Sequence, residues 1–330
     1  MGDIIKVQVE NFMGQNDRIE HLTVNPPIGL SSPHVQTVLG YIAPYGLPPP
    51  STQRVIKLED GDRISCEVSI PSSWKVIDKT IVLLHGLGGS HNSPYMIRLS
   101  RKFYQKGYQV VRVNMRGCGS GEGLTARPYH GGLTADILAV LKTLHLANPL
   151  SPLILIGFSL GGNIALKLAG ELGMTDNQLL ALTIAVCPPL DLAHSSALLA
   201  RASNRAYNKY YMNHLKKQAE PWLKGRMFVN LYEFDCLVTA PIWGFQGAFD
   251  YYQQCSSRFL LHYIKSPCRI LFSVDDPFVD YKVGMEFPLP PSVTLSLADC
   301  GGHLGFIGWA DIERDYFWMD QQLIQWVKKC

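Results

Sequence analysis

Residues 153–170 read LILIGFSLGGNIALKLAG. Leu153–Ile156 is a short apolar run of the kind a buried strand needs, and Leu160–Leu172 continues as a helical pattern. Between them stands Gly157-Phe158-Ser159-Leu160-Gly161, a G-x-S-x-G sequence. A serine in so sharp a strand-to-helix turn is strained and presents its hydroxyl at the edge of a sheet. Glycines two positions to either side remove Cβ atoms that the turn would crowd. The helix N-terminus below favours developing negative charge. G-x-S-x-G is frequent by chance, and alone it could be a glycine-rich packing turn. Set between this strand and this helix, it makes Ser159 the candidate nucleophile.

Outward from this turn, apolar runs alternate with helical patterns, which predicts βαβ units on a mostly parallel sheet with helices on both faces. The runs are Thr80–Leu84, Gln109–Val113, Leu153–Ile156, Ala181–Val186, Cys268–Val274 and Val293–Leu297. Helices are expected over Tyr95–Gln105, Gly132–His145, Leu160–Leu172 and Tyr316–Lys329. Upstream, Gln53–Leu58 and Arg63–Ile70 flank Asp60-Gly61 and read as an antiparallel hairpin. The expected architecture is the α/β-hydrolase fold.

One interval breaks the alternation. About eighty residues separate Val186 from Cys268 without a convincing strand, too long for a structureless loop. Ser195–Lys217 reads as helix, and aromatics crowd the segment, among them Tyr207, Tyr210, Tyr211, Trp222, Phe228, Trp243, Tyr251 and Tyr252. Residues 188–267 are therefore expected to form a helical cap inserted into a core of residues 1–187 and 268–330. Its aromatics would either line a pocket or pack the cap's own small core.

The partners of Ser159 follow from order along the chain, which in this fold runs serine, acid, histidine. Of ten histidines only His194, His214, His262 and His303 come later, and the first three fall within the cap. His303 sits in Asp299-Cys300-Gly301-Gly302-His303-Leu304-Gly305, a glycine-rich loop after the last strand, and is the candidate base. The acid belongs after the strand CRILFSV, where Asp275 and Asp276 stand side by side before Pro277. Either could be a surface turn residue. Neighbours at a strand end face opposite ways, so one of the pair should reach the histidine. Pro277 biases Asp276 toward an extended conformation, which favours Asp276 and leaves Asp275 as the alternative. The strand TIVLL ends in His85-Gly86-Leu87-Gly88-Gly89, a turn that can aim a backbone N–H at the site. An oxyanion hole needs two such donors, assigned here to Leu87 and Leu160. His85 reads as a loop-shaping residue.

The remaining motifs exclude other chemistries. Arg116–Gly123 is glycine-dense but contains no G-x-G-x-x-G and opens no helix, so no dinucleotide cofactor is implied. Tyr129-His130-Gly131 and Asp136 lead into a helix and read as capping and packing residues. No metal-ligand spacing is recognisable, and eight scattered cysteines without a CxxC pair suggest reduced thiols. A net charge of +3 without a basic run implies neither nucleic acid nor a polybasic membrane patch. Nothing approaches a transmembrane segment. The stretch MGDIIKVQVENFMGQ has no apolar h-region, and Lys6 stands where a myristoylation signal has Ser or Thr. A cytoplasmic location is the expectation; the oligomeric state is not legible.

Six motifs in order carry a family resemblance: Ser32-Pro33-His34-Val35-Gln36-Thr37, HGLGGSHNSPY, NMRGCG followed by YHGGLTAD, GFSLGGN, DDPF and GGHLGF. Together they resemble the YheT-like α/β-hydrolases, related to the lipid-acting abhydrolase-domain proteins of eukaryotes, over residues 34–306. Ser32 replaces the usual Asn, Val35 a Leu, and Val279-Asp280 a Met-Pro type ending. The resemblance implies a carboxylic-ester hydrolase acting on short- to medium-chain acyl or lipid esters, with acyl transfer to alcohols as an alternative. The spacing of Ser273, Asp276 and Val279 matches the family's surroundings of its acid. Because fold does not fix function, a ligand-binding protein with an intact triad is the third reading.

Overall fold

The apolar runs fold as strands buried on both faces, and their alternate residues feed two different cores. The computed structural model describes residues 18–43, 46–223, 225–310 and 315–330. The amino-terminal stretch read above for a leader lies outside these. One sheet is built from β1 (Ile19–Leu22), β2 (Thr52–Lys57), β3 (Arg63–Ser69), β4 (Thr80–Leu84), β5 (Gln109–Val113), β6 (Leu153–Phe158), β7 (Leu182–Val186), β8 (Cys268–Ser273) and β9 (Val293–Ala298). Their spatial order is β1-β9-β8-β7-β6-β4-β5-β3-β2. All pairings from β1 to β5 are parallel; β3 pairs antiparallel with β5 and β2 with β3. The fold is thus an α/β-hydrolase fold, a mostly parallel sheet with the expected antiparallel hairpin at one edge.

The helices are α1 (Pro33–Ile42), α2 (Pro94–Gln105), α3 (Thr134–Ala147), α4 (Leu160–Met174), α5 (Leu192–Leu199), α6 (Arg205–Gln218), α7 (Ala248–Cys255) and α8 (Trp318–Lys329), with shorter helical turns between. Ile81, Leu83, Ile154 and Ile156 pack with Leu99 and Phe103 of α2 and Met319 and Leu323 of α8. Their strand neighbours Val82, Leu84 and Leu155 face the other way, onto Val140 of α3 and Ile164 and Ala165 of α4. This alternation follows from the two-residue period of a strand.

The sequence pattern and the structure differ at the margins. β1 is short and polar (IEHL), so it carries no strand signal, yet it pairs in parallel with β9. The helix expected over Ser195–Lys217 is two helices, because Asn204 sits between them. Its side-chain amide donates to Leu198 O (2.9 Å) and Pro277 O (2.8 Å), ending one helix and tying the break to the loop after β8. α8 begins at Trp318 instead of Tyr316, because β11 (Asp315–Phe317) pairs with β10 (Ile307–Ala310). Between residues 188 and 267 the described residues form helices and turns and no strand. No helix among the described residues is long and apolar enough to cross a membrane.

Register places the loops that matter side by side. Leu84 lies beside Gly157, and Phe158 beside Val186, so the turns after β4, β6 and β7 leave the sheet together. Ser273 pairs with Ala298, which brings the loops after β8 and β9 to the same edge.

Candidate active site

Ser159 occupies the turn between β6 and α4 with φ +50° and ψ −121°, a conformation costly for a residue with a Cβ. The neighbouring glycines are required by contact. A Cβ on Gly157 would stand 2.2 Å from Gly161 O, and one on Gly161 would stand 2.4 Å from His85 O. Backbone bonds hold the turn: Ser159 N–H donates to Val186 O (2.8 Å), and Ser159 O accepts from Gly162 and Asn163.

His303 reaches this serine from the loop after β9. Its Nε2 lies 2.9 Å from Ser159 Oγ, and its Nδ1 lies 2.7 Å from Asp276 Oδ2. With the Nδ1 proton on the carboxylate side, Nε2 is free to accept from the serine. The Asp276 side chain is fully buried, and its Oδ1 accepts from the N–H groups of Phe278 (3.1 Å) and Val279 (3.0 Å). Phe278 packs on the imidazole, ring centroids 4.2 Å apart. Asp275 does something else: its Oδ1 accepts from Gly302 N–H (2.8 Å) and from Ser273 Oγ. One aspartate thus meets the histidine ring while the other holds the histidine's loop.

The turn after β4 is fixed by groups whose role sequence reasoning missed. The Tyr95 hydroxyl accepts from Gly86 N–H (2.9 Å) and the Tyr129 hydroxyl from Gly88 N–H (2.8 Å), while Gly89 N–H donates to Gly86 O. Among the described residues no hydrogen bond engages the N–H of Leu87 or of Leu160. His85 is fully buried. Its Nδ1–H donates to Gly86 O (2.8 Å) and its Nε2 accepts from Met115 N–H (3.1 Å), while burial pushes its pKa down to about 4. It is a neutral loop brace.

A second missed set lies on α1, whose motif had been quoted only for its family likeness. Thr37 Oγ1 accepts from His303 N–H (2.9 Å). The buried Gln36 amide donates to Leu30 O and Ile307 O and accepts from Ile307 N–H. Asn163, in GFSLGGN, donates to Gly131 O (2.8 Å) and Cys255 O (2.9 Å) and accepts from Ser257 N–H. Asp136 pairs through both oxygens with Arg116 (2.7 Å each), which also reaches Asp60 and Asp62.

Two cavities meet at Ser159. An inner one runs under the helices of residues 188–267 and is walled by Leu160, Leu192, Leu199, Leu215, Phe234 and Phe278 among others. An outer, roomier one is lined by Thr37, Val38, Tyr41, Tyr207, Tyr210 and His303. Leu87 and Tyr211 border both. The aromatics divide accordingly: Tyr211, Tyr251 and Tyr252 face the inner cavity, whereas Phe228 is buried in a cluster with Met212, Leu215 and Phe234.

Cys187, Asp276 and His303 bring potential metal-ligand atoms within 4.8 Å of one another, a cluster invisible to sequence spacing. Burial and the Asp276 charge push the Cys187 thiol well up. All eight cysteines are free.

Comparison with known proteins agrees with this fold. A family model described as the α/β hydrolase fold matches residues 79–204. Over 92% of its length the chain is 33% identical to YheT of Escherichia coli (strain K12), a protein named as an esterase, and it covers 92% of that relative. It is 29% identical to Phospholipase ABHD3 of Homo sapiens, over 77% of this chain and 66% of that one. Among solved structures, the Pyrococcus furiosus esterase Pf2001 superposes with a TM-score of 0.58 at 19% identity, over 92% of this chain and 99% of that one, a likeness of fold.

Proposed function

This chain belongs to the α/β-hydrolase family of YheT and the abhydrolase-domain proteins, and on that premise we propose that it is a serine esterase working through an acyl-enzyme on Ser159. The observation that carries the reading is the hydrogen-bonded series Ser159 Oγ, His303 Nε2, His303 Nδ1, Asp276 Oδ2, set where the two cavities join.

The chemistry follows from the geometry. Ser159 Oγ attacks the ester carbonyl as its proton passes to His303 Nε2, and Asp276 stabilises the resulting imidazolium. The N–H groups of Leu87 and Leu160 receive the oxyanion; such a donor is typically worth ~2.7–4 kcal/mol. His303 then protonates the departing alkoxide, and water activated by His303 releases the acid. The apolar inner cavity suits the acyl chain, and the outer cavity, which His303 borders, suits the alcohol. Residues 188–267 act in this reading as the cap that walls the acyl chamber. Short- to medium-chain acyl and lipid esters are the substrate class.

Labelling by a fluorophosphonate probe together with turnover of p-nitrophenyl esters tests the proposal. Ser159→Ala should abolish both while the protein stays folded. Labelling that persists in that variant would reveal another nucleophile, and wild type that neither labels nor turns over would leave a binding protein. Adding ethanol to the assay separates hydrolysis from acyl transfer by the ratio of ethyl ester to free acid.

A further inference from the structure

The inner chamber is apolar on most of its wall, yet one stretch of it is a polar cluster centred on a buried acid. Asp235, Thr239, Tyr252 and Ser196 all line the chamber that Ser159 opens into, and each is at most 4% exposed. Asp235 and Thr239 stand on one face of a π-helical turn over Asp235–Thr239. Thr239 Oγ1 donates to Asp235 Oδ1 (2.6 Å) and Tyr252 OH to Asp235 Oδ2 (2.7 Å), with Ser196 Oγ 3.2 Å from the same tyrosine hydroxyl. Among the described residues no Lys, Arg or His pairs with this carboxylate. A carboxylate offers about four acceptor sites, and two hydroxyls use two of them. Asp235 itself lines the chamber, so a chain lying there passes beside a carboxyl group with acceptor capacity to spare.

We propose that Asp235, with Thr239 and Tyr252, is a specificity site that takes a hydroxyl group carried on the acyl chain, so that hydroxyacyl esters are the favoured substrates. This rests on the reading of Ser159 as acyl acceptor and names the substrate class of the same site. A hydroxyl fits better than an ammonium group because it can donate to the carboxylate or accept from the acid, and it sheds its hydration at lower cost in an apolar chamber. Protonation tunes the preference. Burial pushes Asp235 up to about 7. Around it, Tyr251 and Tyr252 are pushed far up, Cys255 to about 12, and His130 down to about 3, so these stay neutral near pH 7. Hydrogen bonds to an ionised acceptor are the stronger, so preference for the hydroxyl should rise with pH through about 7. Any pH dependence of the chemical step acts on both kinds of ester alike and cancels in their ratio.

The test compares p-nitrophenyl octanoate with p-nitrophenyl octanoates bearing one hydroxyl at successive chain carbons. At one position, or two adjacent ones, kcat/KM should exceed that of the plain ester by about tenfold or more. Asp235→Leu should erase that preference, bringing the ratio of kcat/KM between the hydroxylated and the plain octanoate to about one. Asp235→Asn, the variant of matched shape, should keep a pH-independent remnant of it. The absence of any favoured position, or a preference that survives Asp235→Leu, overturns the proposal. If Asp235→Leu does not fold, a wild-type preference that is flat with pH, or equally pH-dependent in Asp235→Asn, overturns it instead. Calorimetric titration of the same esters into Ser159→Ala reads the preference as a ratio of Kd values without chemistry. A preference seen there in a wild type that hydrolyses nothing would sink the esterase reading and leave the hydroxyl site standing.

Discussion

Replacing each member of the pair Asp275 and Asp276 by Asn tests the assignment of the site at its most specific point. The two side chains are adjacent in sequence but hold different objects. In Asp276→Asn the amide must choose an orientation. The position of Oδ1 accepts two backbone N–H groups, from Phe278 and Val279, so the amide oxygen belongs there and the NH₂ group falls opposite His303 Nδ1. A donor at that point forces Nδ1 to accept and moves the imidazole proton to Nε2, where it blocks transfer from Ser159. For a serine protease the corresponding change costs about 10⁴ in kcat, equivalent to ~5 kcal/mol of transition-state stabilisation, and a similar loss is expected here. Asp275→Asn keeps an oxygen for Gly302 N–H and Ser273 Oγ and gives up only charge assistance. That is worth ~1 kcal/mol, or about fivefold in rate through a looser His303 loop. Steady-state kcat on p-nitrophenyl esters measures both, with thermal unfolding confirming that each variant is folded. Losses in the reverse order, or equal ones, would refute the division of labour between the two carboxylates.

Other expectations follow from contacts of comparable definition. Gly161→Ala places a Cβ 2.4 Å from His85 O and 2.5 Å from Leu84 O, both backbone atoms, so it should lose ~3 kcal/mol or more of stability together with esterase activity. A soluble, fully active Gly161→Ala enzyme would contradict the elbow geometry. Thr37→Val removes the acceptor for His303 N–H and should lower kcat by roughly three- to tenfold with KM little changed; a change confined to KM would mean that Thr37 serves binding instead. Asp235, raised to about 7, keeps a proton in the folded state that the unfolded chain has released between about pH 4 and 7, so its contribution to stability falls as pH rises through that window. Asp235→Asn should therefore gain on wild type between pH 5 and pH 8, by ~2–3 kcal/mol in urea unfolding, and a pH-independent difference would show that the carboxyl is not raised.

What was legible in the sequence was whatever chemistry forces into local patterns. The turn at Ser159 declares itself because both its glycines touch backbone, so no other residue type fits. The parallel strands are legible because burial on both faces leaves uninterrupted Val, Ile and Leu. His303 could be reached by elimination because its loop follows β9, the last strand of the main sheet in chain order. Illegible were contacts made across long sequence separations. Nothing local in PHVQT announces that Thr37 and Gln36 brace a loop some 270 residues away, nor does IEHL announce an edge strand. The polar patch around Asp235 is equally hidden, since Asp235, Thr239 and Tyr252 meet only when separate helical segments pack. Sequence does not divide the aromatics of residues 188–267 between pocket and core, and the structure places them in both.

The positions where this chain departs from the family pattern show why such departures are tolerated. Ser32 stands at the N-cap of α1 without a side-chain cap bond, so the helix start rests on Pro33 instead of the capping side chain, and Asn or Ser serves alike. Val279 meets Asp276 through its backbone N–H, which any residue but proline supplies, while its side chain is only one patch of the chamber wall. Asp280 caps the short helical turn that follows, accepting from Lys282 N–H, and touches none of the three central side chains. The constrained positions of this site are therefore of two kinds: the hydrogen-bonded side chains Ser159, His303 and Asp276, and the places where a Cβ or a missing N–H would move them. Substitutions elsewhere in the same motifs reshape the chamber and leave the relay in register. On the esterase reading proposed above, that is a route by which one scaffold changes its acyl preference while keeping its chemistry.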